Sequence, residues 1–285
     1  MIVSLALTLI CAPSMNAPTL PNVVASIFQG EELADMYKRF DGILKSKEPG
    51  SSGEAIRMMD EFVLRYRGLE NEIAAIDDSV ELGDGDIKHM KFERKGKVKD
   101  LTKISETVYK SFVHKARKKV IEDNVQMWKA AAYTLGQMGG NGGTYLMKAF
   151  ELKKFRDEPE LRGLYLEQIG YTHAYKMFAD DLIDLLDHSE YLFIAKASDA
   201  LAQFGEAPGK IRKEAIERMS KLLAQNYENT INDKSDEEAQ RKYRMTGRAM
   251  QNSLEALAGV SLDGPLAWTE WWNKNKNVAE NWSDE

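Results

Sequence analysis

A five-residue pattern of Leu, any residue, Gln, an apolar residue and Gly occurs three times in this sequence. The copies read LGQMG at 135–139, LEQIG at 166–170 and LAQFG at 201–205. Their leucines are separated by 31 and 35 residues. A period of this size is typical of stacked supersecondary units, each of which needs its neighbours to bury its apolar face. The repeat therefore predicts a stack of similar units.

Each copy ends an amphipathic helix. Apolar residues at helical spacing, such as Val125 and Trp128, lead into Leu135, and the closing glycine is expected to be a left-handed helix stop. A second amphipathic helix is predicted after each turn, over residues 146–155, 175–186 and 211–223. The predicted unit is helix, turn, helix, in which Leu135, Leu166 and Leu201 are expected to be equivalent buried positions.

A fourth, weaker copy follows at 248–259, RAMQNSLEALAG, which lacks the glutamine. The polar stretch 226–238 separates it from the third copy and is expected to be a surface loop. In the second copy, Arg162 and Gly163 stand where small apolar residues are expected, so the packing of that unit is the least regular.

The rest of the chain is also predicted to be helical, because strand-like alternation is absent over any useful length. Residues 54–78 carry apolar side chains at steps of three and four, and a second such run follows in 97–115. The turn sequence GDGD at 83–86 lies between them. The expected fold is all-α: N-terminal helices over 26–121 with a long antiparallel hairpin, repeats over 122–260, and a Trp-rich cap over 261–285.

The first helix of the repeat resembles that of the HEAT family of armadillo-like α-solenoids, with KAAAYTLGQMG at 129–139 and IAKASDALAQFG at 194–205 as the best copies. The segment LEALAGVSLDGPLAWTEWW at 254–272 is similar to the end of exported bacterial HEAT-repeat proteins of unassigned function. This resemblance implies a short α-solenoid. It implies an architecture rather than an activity, because solenoids carry many functions.

The N-terminus has the features of an export signal. Residues 2–10, IVSLALTLI, form an apolar run too short to span a bilayer, and small residues follow it. Residues 1–25 are predicted to be a signal peptide cleaved after Ser14 or Ala25, although no Lys or Arg precedes the apolar run; a buried first helix is the alternative. The mature protein would then be periplasmic or secreted, without membrane insertion. It would also lack Cys11, the single cysteine, whose lipidation is the other alternative.

Charge argues against nucleic acid as a partner. The 285-residue chain carries a formal net charge of −6, which opposes long-range attraction to nucleic acid or to anionic membranes. Residues 91–120 are an exception, with eleven Lys or Arg against three acidic residues. This segment is either a nucleic-acid contact or a solvated helix face, and we favour the solvated face.

Candidate chemistry is sparse. The four histidines lack metal-ligand spacing, and no nucleophile elbow or phosphate loop is present, so no catalytic residue, metal or cofactor is predicted. Asp180, Asp184 and Asp187 place carboxylates on one helix, which could bind a cation or act as an acid–base pair. A solvated outer face is the ordinary explanation of such a pattern.

The C-terminal tryptophans are the other candidate binding residues. Trp268, Trp271 and Trp272 lie at i, i+3 and i+4 and therefore share one helix face. They are expected either to cover the last repeat or, if at least two rings are exposed and coplanar, to form a stacking platform for sugar.

Two functions fit the sequence. The first is a non-catalytic scaffold of the cell envelope or exterior that binds an unidentified protein or peptide on a shallow face formed by the second helices. The alternative is an enzyme or enzyme accessory, related to lyases or hydrolases, that uses an acidic groove near residues 180–187. A concave site with converging titratable groups would favour the enzyme.

Overall fold

The computed structural model describes residues 32–284, so the predicted signal peptide and Cys11 lie outside the described residues. The contacts of the chain divide it between Arg39 and Phe40. Within the described part there are eleven α-helices and no strand, which confirms the all-α prediction there. They are α1 (Leu33–Lys45), α2 (Ser51–Leu82), α3 (Ile87–Val113), α4 (Glu122–Gly136), α5 (Gly139–Phe150), α6 (Pro159–Gly170), α7 (Tyr175–Asp184), α8 (Tyr191–Ala202), α9 (Gly209–Asn232), α10 (Glu237–Ala258) and α11 (Gly264–Asn275).

The long helices α2 and α3 pack against each other in opposite directions. Two ion pairs join the helices: Arg94 Nε binds Asp77 at 2.5 Å, and Lys97 binds Glu72 at 2.5 Å. The later residue of α3 pairs with the earlier residue of α2, so the two helices are antiparallel. Gly83 ends α2 in the left-handed conformation, and the Asp86 carboxylate caps the first turn of α3. The turn predicted at 83–86 therefore joins two directly consecutive helices.

The helices that carry the repeated motif pack side by side. In the described structure α4 contacts α6, α6 contacts α8, and α8 contacts α10. The predicted burial of Leu135, Leu166 and Leu201 is confirmed, since all three are fully buried. The apolar residue three positions after each leucine is buried as well: Met138, Ile169, Phe204 and, after Leu254, Leu257.

The motif glycines have different roles from the one predicted for all of them. Gly139 has φ +52°, the left-handed conformation, but Gly170 and Gly205 do not have positive φ. A Cβ on Gly170 would lie 2.7 Å from the backbone of Ala200 in the next motif helix. Glycine at 170 is needed because two helix backbones approach each other there. The left-handed stop prediction is wrong for both Gly170 and Gly205.

The predicted surface loop at 226–238 is mostly helical, which corrects that expectation. Helix α9 continues to Asn232, and α10 begins at Glu237. The side chains of Asn226 and Thr230 are buried where α9 meets α10, and Gln240 donates to the Thr230 carbonyl at 3.0 Å. Polar residues at helical spacing, such as Asn226 and Thr230, thus form part of the contact between α9 and α10.

The irregular second copy is stabilised by its arginine. The Arg162 guanidinium lies over the rings of Phe150 and Phe193, at 4.2 and 4.6 Å from their centroids. Its Nε donates to the Phe150 carbonyl at 2.9 Å. Cation–π contacts with the two rings therefore stabilise an arginine at position 162, where a small apolar side chain was expected.

Two buried tyrosines give a matched test of the core. The Tyr66 hydroxyl donates to the Met138 carbonyl at 2.7 Å and accepts from Asn141 at 3.3 Å, whereas the Tyr165 hydroxyl has no hydrogen-bond partner. We expect Tyr66→Phe to lower the free energy of unfolding by about 1–2 kcal/mol, because it removes a buried hydrogen bond to the Met138 carbonyl and leaves the Asn141 amide without this acceptor. Tyr165→Phe should leave it unchanged or raise it by up to about 1 kcal/mol, since a desolvated hydroxyl is removed. Urea unfolding of both variants measures the difference, and equal losses would contradict the hydrogen-bond assignment.

Candidate functional site

The acidic residues of α7 lie outside both cavities of the described structure. Asp180 and Asp184 are exposed on α7, and Asp187 just after it is exposed and forms an ion pair with Arg218 of α9. None of the three lines either of the two cavities described below. Within residues 32–284 no group of three or more His, Cys, Asp or Glu is arranged to hold a metal ion. These carboxylates therefore behave as a solvated helix face.

The three tryptophans of α11 differ in burial. Trp268 is fully buried, while Trp271 and Trp272 are partly exposed. The ring of Trp282, which was not among the predicted binding residues, contacts two of these rings. The interplanar angle is 80° with Trp271 and 64° with Trp272. The ring planes meet edge to face, so these pairs do not provide the flat platform that stacking on sugar requires.

The residues after α11 fold back onto the start of α9. The Gly209 amide, at the N-terminus of α9, donates to the Asp284 carboxylate at 2.5 Å. The Arg212 guanidinium donates to the Ser283 carbonyl at 3.4 Å and to the Leu257 carbonyl of α10 at 3.5 Å. A carboxylate at a helix N-terminus is favourable because it meets free amides and the positive end of the helix dipole.

A groove with a volume of about 560 Å³ lies between α9 and α11, and we call it the tryptophan groove. Ser220 and Ala224 of α9 lie one helical turn apart in its lining, and Trp272 with Thr269 of α11 lines the other side. The remaining lining residues are all from the polar face of α9: Glu217, Lys221, Gln225 and Glu228. The groove thus combines small side chains, one partly exposed indole and a polar edge.

A second open cavity, of about 620 Å³, lies where α2 passes the ends of α4 and α6, and we call it the tyrosine cavity. Its lining residues come from three separate stretches of chain: Arg67 and Glu70 of α2; Tyr133, Gly136, Gln137 and Gly139 around the end of α4; and Glu167, Gln168, Tyr171, Thr172 and His173 around the end of α6. The side chains of Tyr133 and Tyr171 are 51% and 47% exposed. Two repeats of the motif contribute to this cavity together.

Charge in the tyrosine cavity is nearly balanced. The Arg67 guanidinium donates to Gln137 Oε1 at 2.7 Å, and Glu167 binds Lys196 at 2.6 Å. Desolvation by neighbouring atoms raises the pKa of the Glu70 carboxyl, and the nearby Arg67 lowers it. The cavity therefore offers donors and acceptors without a strong net charge.

Gln168 is the most deeply placed polar group of the tyrosine cavity. The residue is 5% exposed, no hydrogen bond in the described structure engages its amide, and the amide atoms are not among the fully buried unpaired polar atoms, so they reach the cavity. The amide also leaves no room for a side chain at residue 136, where a Cβ would lie 2.7 Å from Gln168 Oε1. An amide that reaches the cavity and has no protein partner is open to hydrogen bonds from water or from a ligand in the cavity.

Sequence reasoning missed the tyrosine cavity although it singled out two of its residues. Gln137 and Gln168 are the glutamines of the first two motif copies, which were interpreted only as architectural. The sequence feature that could have indicated the cavity is the glutamine that occurs near the end of each of the first two motif helices. The other lining residues, such as Arg67, Tyr133 and Tyr171, are far apart in the sequence, and no motif marks them as members of one site.

Lys154 is the other unusual group. Its ammonium lies 3.8 Å from the centroid of the Trp128 ring and donates to the Arg117 carbonyl at 3.3 Å. Burial lowers the pKa of Lys154 to about 7. It lines neither the tyrosine cavity nor the tryptophan groove, so we do not include it in the candidate site.

Four of the eleven Lys and Arg side chains in the basic segment 91–120 form ion pairs with other residues of this chain or are buried. Arg94, Lys97 and Lys103 form ion pairs with Asp77, Glu72 and Glu106, and Arg117 is buried. Fewer of them are therefore available to phosphate groups than the sequence count indicates.

Comparison of the chain with protein-family models, with curated proteins and with solved structures found no significant match. None of the helices in residues 32–284 is both long enough and apolar enough to cross a membrane.

Proposed function

We propose that this protein is a non-catalytic binding scaffold built as a helical hairpin, α2 and α3, followed by a short HEAT-like solenoid with a Trp-rich cap. Support for the solenoid is the sequential packing of α4, α6, α8 and α10, with the motif leucines buried at equivalent places. Support for the cap is the fully buried Trp268 and the contact of residues 282–284 with α9. A solenoid end without a cover would leave an apolar face in water. Export to the periplasm or exterior remains part of this proposal.

The scaffold binds a protein segment in the tryptophan groove. The observation that carries this proposal is the groove itself, in which the small side chains of Ser220 and Ala224 lie opposite Trp272. Its lining along α9, residues 217–228, is about 17 Å long at 1.5 Å per residue, which matches roughly five residues of extended chain. Partly exposed tryptophan beside a polar edge is the composition of a protein-interaction site.

A photo-crosslinking amino acid placed at Gln225 of the full-length chain tests this proposal in the cells that make it. We expect one discrete protein adduct from this position. Ala224→Trp, which fills the groove, should remove the adduct because the indole occupies the space of the segment. The matched control is the same crosslinker at Phe92, which is 77% exposed on α3 and remote from the groove. The proposal fails if Gln225 gives no adduct, or if the same adduct arises from position 92 or persists with Ala224→Trp.

A further inference from the structure

We propose that the tyrosine cavity is a binding site for a neutral saccharide, held between tyrosine rings and hydrogen-bonded by the Gln168 amide. This site is separate from the tryptophan groove and does not depend on the protein-binding proposal. It carries a second binding function on the face formed by the ends of α4 and α6.

The lining disfavours a purely aliphatic ligand group. The cavity has no Ala, Val, Leu, Ile or Met side chain in its lining, and its largest apolar surfaces are the rings of Tyr133 and Tyr171. An aromatic ring offers a flat apolar face with a polar edge. Such faces match the CH-bearing side of a sugar ring, whose hydroxyl groups point outward around its rim.

The Gln168 amide supplies the specific contact. A primary amide donates from its nitrogen and accepts at its oxygen, and each sugar hydroxyl can also do both. Because the Gln168 amide lines the cavity and has no protein partner in the described structure, a ligand in the cavity can pair with both its nitrogen and its oxygen without breaking a protein hydrogen bond. This residue therefore favours a ligand rich in hydroxyl groups.

Charge balance favours a neutral ligand. Arg67 would attract an anion, but Glu70 and Glu167 line the same cavity, and Lys196 pairs with Glu167 from outside the lining. A phosphate would meet two carboxylates, and an ammonium would meet the guanidinium. Carboxylate and guanidinium groups, in contrast, both hydrogen-bond to neutral hydroxyls.

A peptide is also neutral and could pair with Gln168, but the cavity provides no aliphatic subsite for its side chains. A volume of about 620 Å³ lies within the range of small-molecule sites. The lining therefore favours a short stretch of saccharide over a peptide, which becomes an outcome of the test.

The test begins with an array of neutral oligosaccharides of hexose and N-acetylhexosamine units, probed with the full-length protein. The best binder is then titrated by calorimetry against variants. We expect Tyr171→Ala and Gln168→Met each to weaken binding by roughly tenfold or more, since a stacking face or a paired amide is lost. Gln168→Met should leave the thermal midpoint unchanged or higher, because the amide has no protein partner; a purely structural role would lower it.

Phe92→Ala and Trp272→Ala are the controls and should bind the saccharide as the parent protein does. Trp272→Ala also separates the two proposals, because it removes part of the tryptophan groove and leaves the tyrosine cavity intact. The inference is overturned if no saccharide on the array binds, or if Tyr171→Ala and Gln168→Met bind it unchanged. It is overturned equally if unrelated short peptides bind in the cavity at the affinity of the best saccharide.

Discussion

Replacing Trp268 by alanine is expected to lower the free energy of unfolding by about 3–5 kcal/mol, as for other large aromatic residues of protein cores. Trp268 is fully buried and, with Pro265, is one of two buried residues of α11. Its loss removes the main apolar contact of this helix and leaves a cavity beneath it. Urea unfolding and thermal melts of the full-length variant measure the effect.

Trp271→Ala is the matched control within the same helix. Its ring meets Trp268 and Trp282 edge to face, but it is partly exposed, so the expected loss is clearly smaller than for Trp268. Trp268→Phe should retain most of the stability, since it keeps a ring and removes an indole N–H that has no hydrogen-bond partner. If Trp268→Ala left the thermal midpoint unchanged, the proposed cap would be refuted.

Arg117→Met is expected to destabilise the protein by about 3–5 kcal/mol, because several hydrogen bonds from a buried charged donor, each worth about 1.5–3 kcal/mol, are lost together. The guanidinium donates to the carbonyls of Leu44, Ile43 and Ser46 at 3.1, 3.2 and 3.0 Å. It also donates to the hydroxyls of Ser51 and Ser52, at 2.8 and 3.3 Å. Methionine fills much of the volume but removes the side-chain donor of all three carbonyls, of which Ile43 keeps the Ser46 amide and Ser46 keeps the Ser51 hydroxyl.

Arg117→Lys separates charge from geometry. Lysine keeps the positive charge near the C-terminal end of α1, which is favourable, but it cannot reach several acceptors at once as the planar guanidinium does. We expect an intermediate loss of stability by urea unfolding. Arg65→Met is the control, because Arg65 is exposed on α2. A loss for Arg65→Met as large as that for Arg117→Met would show that arginine removal in general, rather than this network, lowers stability.

The sequence by itself determined the helical class and the buried positions of the repeated motif. Both follow from local periodicity, because apolar residues at steps of three and four define which side of a helix is buried wherever that helix is placed. Leu135, Leu166 and Leu201 could therefore be assigned to the core without knowing their neighbours.

Only the tertiary structure decided the role of the glycines, the helical state of 226–232 and the existence of the tyrosine cavity. Gly170 is explained by the backbone of Ala200, and Asn226 by the buried contact between α9 and α10. The cavity brings together Arg67 and side chains from two later turns. Each of these depends on the distance and angle between helices that are far apart in sequence, and helix periodicity carries no information about that geometry.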